Sequence, residues 1–417
     1  MRIAVSALFL LAAWQAARAY PLDGAEKTGI RRLAGYRLVH EGKVKGTVRL
    51  PSGALRSEAE VALRLKGVND GFDIKPGNPQ DPYLAAGIQR IFGGRDPSYN
   101  LAILDISDPK TPRYGALRPE VKRIPGSVGK LLVATGLFEA LRMIYPDDIA
   151  ARQRVLKQTV VAADKFIISD GKTVPFYNPS DPAVVNRRLQ IGDRFNLWEW
   201  TDHMLSQSSN AAASMVWKQV ILLRHFGVRY PVATEEAEAF LRTTPKAELG
   251  RLSLESVEAA LPPAGLDTEK LRIGTFFTRH ASSVVPGTAS YACPSELLRW
   301  LVRLEQGRLV DAWSSLELKK LLYFSRPRYR YASSPALNQA AVFFKSGSLF
   351  ECVPEEGYKC GQYRGNKTNL MHSVAVVESG RRVYLVALMS NVLKVNSAVD
   401  HQSIATEIER LIQNRPE

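Results

Sequence analysis

Along the chain, the spacing of apolar and polar positions changes character three times. Tyr36-Arg37-Leu38-Val39-His40 and Val61-Ala62-Leu63-Arg64-Leu65 alternate apolar with polar residues, as half-buried strands do. Turn signals at Gly46 and Pro51-Ser52-Gly53 separate them. Residues 20–78 therefore read as a small β-rich appendage, too short for a core of its own and expected to pack on the larger domain after it. The stretch Lys75-Pro76-Gly77-Asn78-Pro79-Gln80 is the best boundary. Asp81-Pro82 then predicts a capped helix over Tyr83 to Ile91, and Asn100 to Ile106 a strand closed by the turn Asp108-Pro109-Lys110. The run Leu131 to Leu141 is apolar nearly all round, so its helix should be buried. Leu197 to Leu205 is a second helical pattern. Three strand candidates follow near the end, at Ala341 to Phe344, Ser373 to Val377 and Val383 to Met389. A last helix from Ser403 to Gln413 puts Ile404, Ile408, Leu411 and Ile412 on one face. The sum is a mixed α/β architecture.

The first nineteen residues fit a secretory signal. Arg2 gives the positive start, Ile3 to Trp14 the apolar stretch, and Ala17-Arg18-Ala19 an A-x-A cleavage site. The expected compartment is periplasmic or secreted after cleavage near Ala19, and no later run is apolar enough to predict a transmembrane anchor. The net charge of +15 favours polyanions by long-range attraction, yet no nucleic-acid-binding pattern accompanies it. Nucleic acid is therefore not an expected partner. Three cysteines are present. Cys352 and Cys360 flank a turn-rich segment and could staple it in an oxidising compartment, leaving Cys293 alone. That pattern, with no neighbouring histidine cluster, predicts neither a metal site nor a cofactor.

Three S-x-x-K motifs occur: Ser107-Lys110, Ser127-Lys130 and Ser169-Lys172. The first and third contain turn signatures, Asp108-Pro109 and Asp170-Gly171. Only Ser127-Val128-Gly129-Lys130 opens a helical run, with Pro125 just ahead of it. Residues three apart share a helix face, so the Lys130 amine can reach the Ser127 hydroxyl. Serine needs such a base, and lysine serves only if burial and a second cation lower its pKa. Lys345 is the expected second cation. Ser208-Ser209-Asn210 follows the helix ending at Leu205, whereas the other S-x-N, Ser98-Tyr99-Asn100, stands before the nucleophile. Lys345-Ser346-Gly347-Ser348 ends an apolar strand, where Gly347 allows close backbone approach, while Lys27-Thr28-Gly29 has no strand around it.

In this order the three motifs resemble the S-x-x-K, S-x-N and K-[ST]-G set of serine β-lactamases and penicillin-binding proteins. Met204-Leu205-Ser206-Gln207-Ser208-Ser209-Asn210 is similar to the M-L-x-x-S-x-N segment of class A β-lactamase-like proteins. Ala292-Cys293-Pro294-Ser295-Glu296-Leu297-Leu298 with Gly307-Arg308-Leu309 resembles their T-P-x-x-L helix and following G-x-L. The resemblance spans residues 81–415 and implies an antiparallel sheet flanked by helices, plus a helical subdomain. It also implies roles: Ser127 as nucleophile, Lys130 as general base and Ser208 as proton shuttle. Asn210 would orient the substrate, Lys345 and Ser346 would bind its carboxylate, and the N–H groups of Ser127 and Ser348 would form an oxyanion hole.

One departure is plain. Class A enzymes carry an E-x-x-x-N pair between the last two motifs, and this chain has no asparagine between Asn210 and Asn338. Glu248 and Glu255 read as solvated surface residues. The expectation is an exported hydrolase acting through an acyl-Ser127 ester on a peptidoglycan stem peptide or a β-lactam. A D-Ala-D-Ala peptidase-like activity is favoured over efficient lactam turnover. The alternatives are a class A-like β-lactamase with a different deacylation apparatus and a non-catalytic cell-wall-binding protein.

Overall fold

The computed structural model describes residues 23–45, 50–323 and 328–416. The signal-like residues 1–19 and the Gly46 turn lie outside them. In chain order, the elements that build the site are helix α1 (Arg31–His40), helix α2 (Pro82–Phe92), and strands β1 (Asn100–Asp105) and β2 (Arg113–Leu117). Helix α3 (Lys130–Ile144), strands β3 (Thr173–Asn178) and β4 (Asp181–Arg188), and helices α4 (Leu197–Leu205) and α5 (Asn210–Phe226) come next. Helices α6 (Lys246–Glu258), α7 (Pro294–Glu305) and α8 (Ala312–Tyr323) lead to strands β5 (Ala341–Glu351), β6 (Thr368–Ser379) and β7 (Arg382–Asn391). Helix α9 (Ala398–Gln413) ends the fold.

The main sheet is antiparallel, in the order β2-β1-β7-β6-β5, so β5 is an edge strand. Because strand side chains alternate between faces, each central strand feeds two cores. Leu101, Ile103, Val342, Phe344, Val386 and Leu388 pack under α2 and α9. Ala102, Leu104, Ala341, Phe343, Val374 and Ala387 face the larger core shared with the interior helices. Lys345, two residues on from Phe343, thereby points to the helical side. Every residue of α3 from Lys130 to Leu141 is buried, as its all-round apolar pattern requires. Asp81 caps α2 by accepting the Leu84 N–H, with Pro82 in the first turn.

The β-rich reading of the N-terminal segment is corrected. Its described residues contain no strand: Arg31–His40 is a helix, and Val61 to Leu65 is irregular chain. Leu33, Tyr36 and Val39 are the buried apolar positions of α1, and their spacing of three is a helical repeat that the window starting at Tyr36 disguised. In the second stretch Val61 and Leu65 are the buried anchors, and the Leu65 N–H donates to the Glu305 carbonyl. The segment does pack on the larger domain, through buried charge. Arg32 makes a two-pronged ion pair with Asp202 on α4, both side chains fully buried. Arg56, Arg64 and Lys319 converge on Glu378, and Lys319 also pairs with Glu305 at 2.6 Å. No helix among the described residues is long and apolar enough to cross a membrane.

Removing one partner of a buried ion pair strands the other in a low-dielectric interior. Arg32→Met should therefore lower unfolding stability by about 3–5 kcal/mol in a urea titration, and Arg32→Met/Asp202→Leu should recover much of the loss. A loss below about 1 kcal/mol in the single variant would show that Arg32 does not anchor the segment.

Candidate active site

Ser127 sits in a tight 3-10 turn, Gly126–Gly129, that runs straight into α3. The preceding segment is held to the sheet by a contact of 3.0 Å between His372 Nε2 on β6 and the Ile124 carbonyl. Gly126 has φ +52°, and a side chain there would meet the backbone of Ser348 at 3.1–3.3 Å. Across the same seam, a Cβ on Gly347 would come within 2.7 Å of the Pro125 carbonyl and 3.1 Å of the Ser127 nitrogen. These glycines let β5 lie directly against the Ser127 turn.

Lys130 stands one turn after Ser127 and is fully buried. Its Nζ lies 3.0 Å from Ser127 Oγ, 2.7 Å from the Ser208 carbonyl oxygen and 2.7 Å from Asn210 Oδ1. On β5, Lys345 Nζ is 2.9 Å from Ser208 Oγ and 2.8 Å from the Ser346 carbonyl. Five predicted residues, Ser127, Lys130, Ser208, Asn210 and Lys345, thus form one connected network. Ser346, Gly347 and Ser348 line the adjoining cleft of about 540 Å³. Ser208 has φ +57°, a left-handed conformation that turns its carbonyl toward Lys130 and its hydroxyl toward Lys345. Ser209 then caps α5 by accepting the Ala212 N–H.

Burial and neighbouring positive charge set the proton affinities. Lys130 is pushed well below the ordinary lysine value, first by burial, then by Lys172, then by Lys345, with Asp170 opposing. Lys345 is lowered likewise by burial, Lys172 and Arg330. A buried lysine held as the free amine is a competent base for a serine hydroxyl.

Two cations were not expected here. The Ser169-Lys172 motif is indeed a turn, but the turn delivers Lys172 to the site, 2.5 Å from the Ser208 carbonyl oxygen. Asp170 fixes that turn: its Oδ2 accepts from Ser209 Oγ and from the Ala211 N–H, each at 2.8 Å. Arg330, at φ +53°, donates to the Gly347 carbonyl at 2.7 Å and lies 5.4 Å from the Tyr363 ring centre. Lys172 stood in the sequence only as the lysine of an S-x-x-K set aside as a turn, and Arg330 carried no sequence signal. Lys130, Lys172, Lys345 and Arg330 make no carboxylate ion pair among the described residues. Lys130 also packs 4.8 Å from the centre of the Phe277 ring.

The remaining candidates lie elsewhere. Glu248 and Glu255 are surface partners of Arg251. Lys27 belongs to a short helix closed by Gly29 and pairs with Glu58. Cys352 and Cys360 are joined by a disulfide in the β5–β6 connection, and Cys293 is a buried free thiol. Among the described residues, no group of three or more His, Cys, Asp or Glu side chains is placed to hold a metal ion.

Comparison with solved structures places this arrangement in a known fold. A β-lactamase from Sphaerobacter thermophilus DSM 20745 superposes with a TM-score of 0.50 at 14% identity, covering 79% of this chain and 94% of that one. The fold is β-lactamase/transpeptidase-like. Lower scores are found for a mutant of PBP-A in an acyl-enzyme complex with penicillin G (TM-score 0.48, 12% identity, 82% and 100% covered). A β-lactamase from Chitinophaga pinensis DSM 2588 gives 0.47 at 14% identity, with 79% and 98% covered. No protein-family model and no curated protein matches the sequence. Within the β-lactamase/transpeptidase-like fold, the sheet edge, the buried helix α3 and the α4–α5 junction are the elements that meet around Ser127.

The glycine seam is testable on stability alone. Gly347→Ala forces β5 from the Ser127 turn and should cost about 1–3 kcal/mol in denaturant unfolding. Gly94→Ala, whose added methyl would meet nothing within 4 Å, should change stability by less than about 0.5 kcal/mol. Equal effects would mean that the seam is not close-packed.

Proposed function

We propose that the protein is an exported serine hydrolase that forms an ester on Ser127 from a D-Ala-D-Ala-type amide or a β-lactam, working as a peptidase more than as an efficient lactamase. The observation that carries this reading is the environment of Lys130. Its amine touches the Ser127 hydroxyl, Ser208 and Asn210, while an aromatic ring, Phe277, occupies a further face.

In the acylation step Lys130 Nζ takes the Ser127 proton as Oγ bonds to the substrate carbonyl carbon. The Ser127 and Ser348 N–H groups receive the developing oxyanion. Asn210 orients the acyl side of the substrate, and Lys345 with Ser346 holds its carboxylate. Ser208 Oγ, beside Lys345 Nζ, gives its proton to the leaving nitrogen as the carbon–nitrogen bond breaks, and regains one through the lysine network. The acyl group stays on Ser127 until water cleaves the ester. Without a Glu–Asn pair, nothing in the resemblance supplies a dedicated base for that water, which favours a long-lived ester on lactams. The peptidoglycan stem peptide is the natural substrate class that fits an exported enzyme of this kind.

A fluorescent penicillin should label the wild-type protein and leave Ser127→Ala unlabelled. Intact mass followed over time should show one adduct that persists long after acylation is complete, with only a burst of chromogenic cephalosporin turnover. Folded wild-type protein that takes no label overturns the reading. Fast turnover without a burst would instead establish the lactamase alternative.

A further inference from the structure

Lys172 is outside the three motifs, yet it shares an acceptor with the general base. Lys130 Nζ and Lys172 Nζ approach the same Ser208 carbonyl oxygen, at 2.7 and 2.5 Å. Two lysine nitrogens on one oxygen cannot both carry full charge cheaply in a water-poor site, because neither is paired with a carboxylate there. The two differ in depth. Lys130 is fully enclosed, whereas Lys172 is half-buried and opens on the cleft. The charge is therefore better placed on Lys172, where water reaches it. Its placement is built in: Asp170 accepts the Lys172 backbone N–H at 3.1 Å while its other oxygen anchors the start of α5.

Resting on the acyl-serine reading above, we infer that Lys172 is a positioning residue whose ammonium, seated on the Ser208 carbonyl, keeps Lys130 as the free amine that accepts the Ser127 proton. The other titratable groups facing Lys130 are Lys345 on β5, which acts in the same direction, and Asp170, which opposes both. Arg330, across the cleft, lowers both Lys345 and Lys172, and Asp170 holds the Lys172 charge against it. Serine, asparagine and phenylalanine neighbours complete the surroundings of Lys130 and do not titrate here. Burial takes Lys172 itself down to about 8, so its charge is present at neutral pH and lost above that value.

A base with a lowered pKa is active down to that pKa and fails below it. Removing the Lys172 charge raises the Lys130 pKa, so the acid limb of the acylation rate moves to higher pH. In Lys172→Met the limb should move up by about one pH unit, a roughly tenfold loss at a pH on the limb, with the high-pH plateau retained. Lys172→Arg should keep the wild-type limb. A Lys172→Met profile that falls equally at every pH, or whose limb does not move, overturns the inference. A second readout is independent of any substrate: the ¹³Cε resonances of lysine, with Lys130 assigned through Lys130→Arg, titrated in wild type and Lys172→Met. A Lys130 midpoint raised in the variant supports the inference even if no lactam or peptide acylates Ser127, the outcome that defeats the functional reading alone. An unchanged midpoint defeats the inference while leaving acylation untouched.

Discussion

Three lysine amines converge on one serine residue, and the rest of the site follows from accommodating them. Lys130 and Lys172 meet the Ser208 carbonyl, and Lys345 meets its hydroxyl. In a buried setting three full charges at hydrogen-bond range would be mutually destabilising by several kcal/mol each. The structure answers with depth and with one carboxylate. Asp170 stands between the Lys172 turn and the first N–H groups of α5, and the enclosed Lys130 is pushed well below the ordinary lysine value by burial, Lys172 and Lys345. The left-handed backbone of Ser208 is the hinge of this arrangement, with its carbonyl presented to Lys130 and Lys172 and its hydroxyl to Lys345.

Much of this is legible in the sequence. The Ser127 motif stands apart from its duplicates because Lys130 opens an all-apolar run, and that run is the buried helix α3. The Lys345 motif stands apart because an apolar strand pattern leads into it; the strand runs on through it to Glu351, and the alternation Phe343, Lys345 sends the amine to the helical side. The hidden part is relational. The turn signature at Asp170-Gly171 correctly describes the local chain around Lys172 but carries no information about where the turn goes. The α1 helix is hidden for a different reason: Tyr36 to His40 is compatible with both periods, and its buried partner Leu33 lies outside that window.

The N-terminal segment acts on the site through α4. Arg32 grips Asp202, whose carbonyl accepts from the Ser206 N–H and hydroxyl, two residues before Ser208. Arg31 adds bonds to Glu199 on the same helix. A buried pair of this kind contributes little net stability against an apolar replacement, but it ties α1 to α4 at one point. The segment is thus a brace for the residues that carry the Ser208 conformation.

Strand order has a kinetic side as well. Strand β1 pairs with β7, matching Asn100 to Met389, so a central ladder of the sheet joins residues near opposite ends of the domain. Ser127 and Lys345 are braced from that ladder, Ser127 through the segment that His372 holds and Lys345 through the pairing of β5 with β6. Contacts of such long sequence separation form late, after their loop-closure cost has been met. A chain emerging N-terminus first therefore carries Ser127 for most of its length without the assembled cleft, which is completed only with the final hairpin.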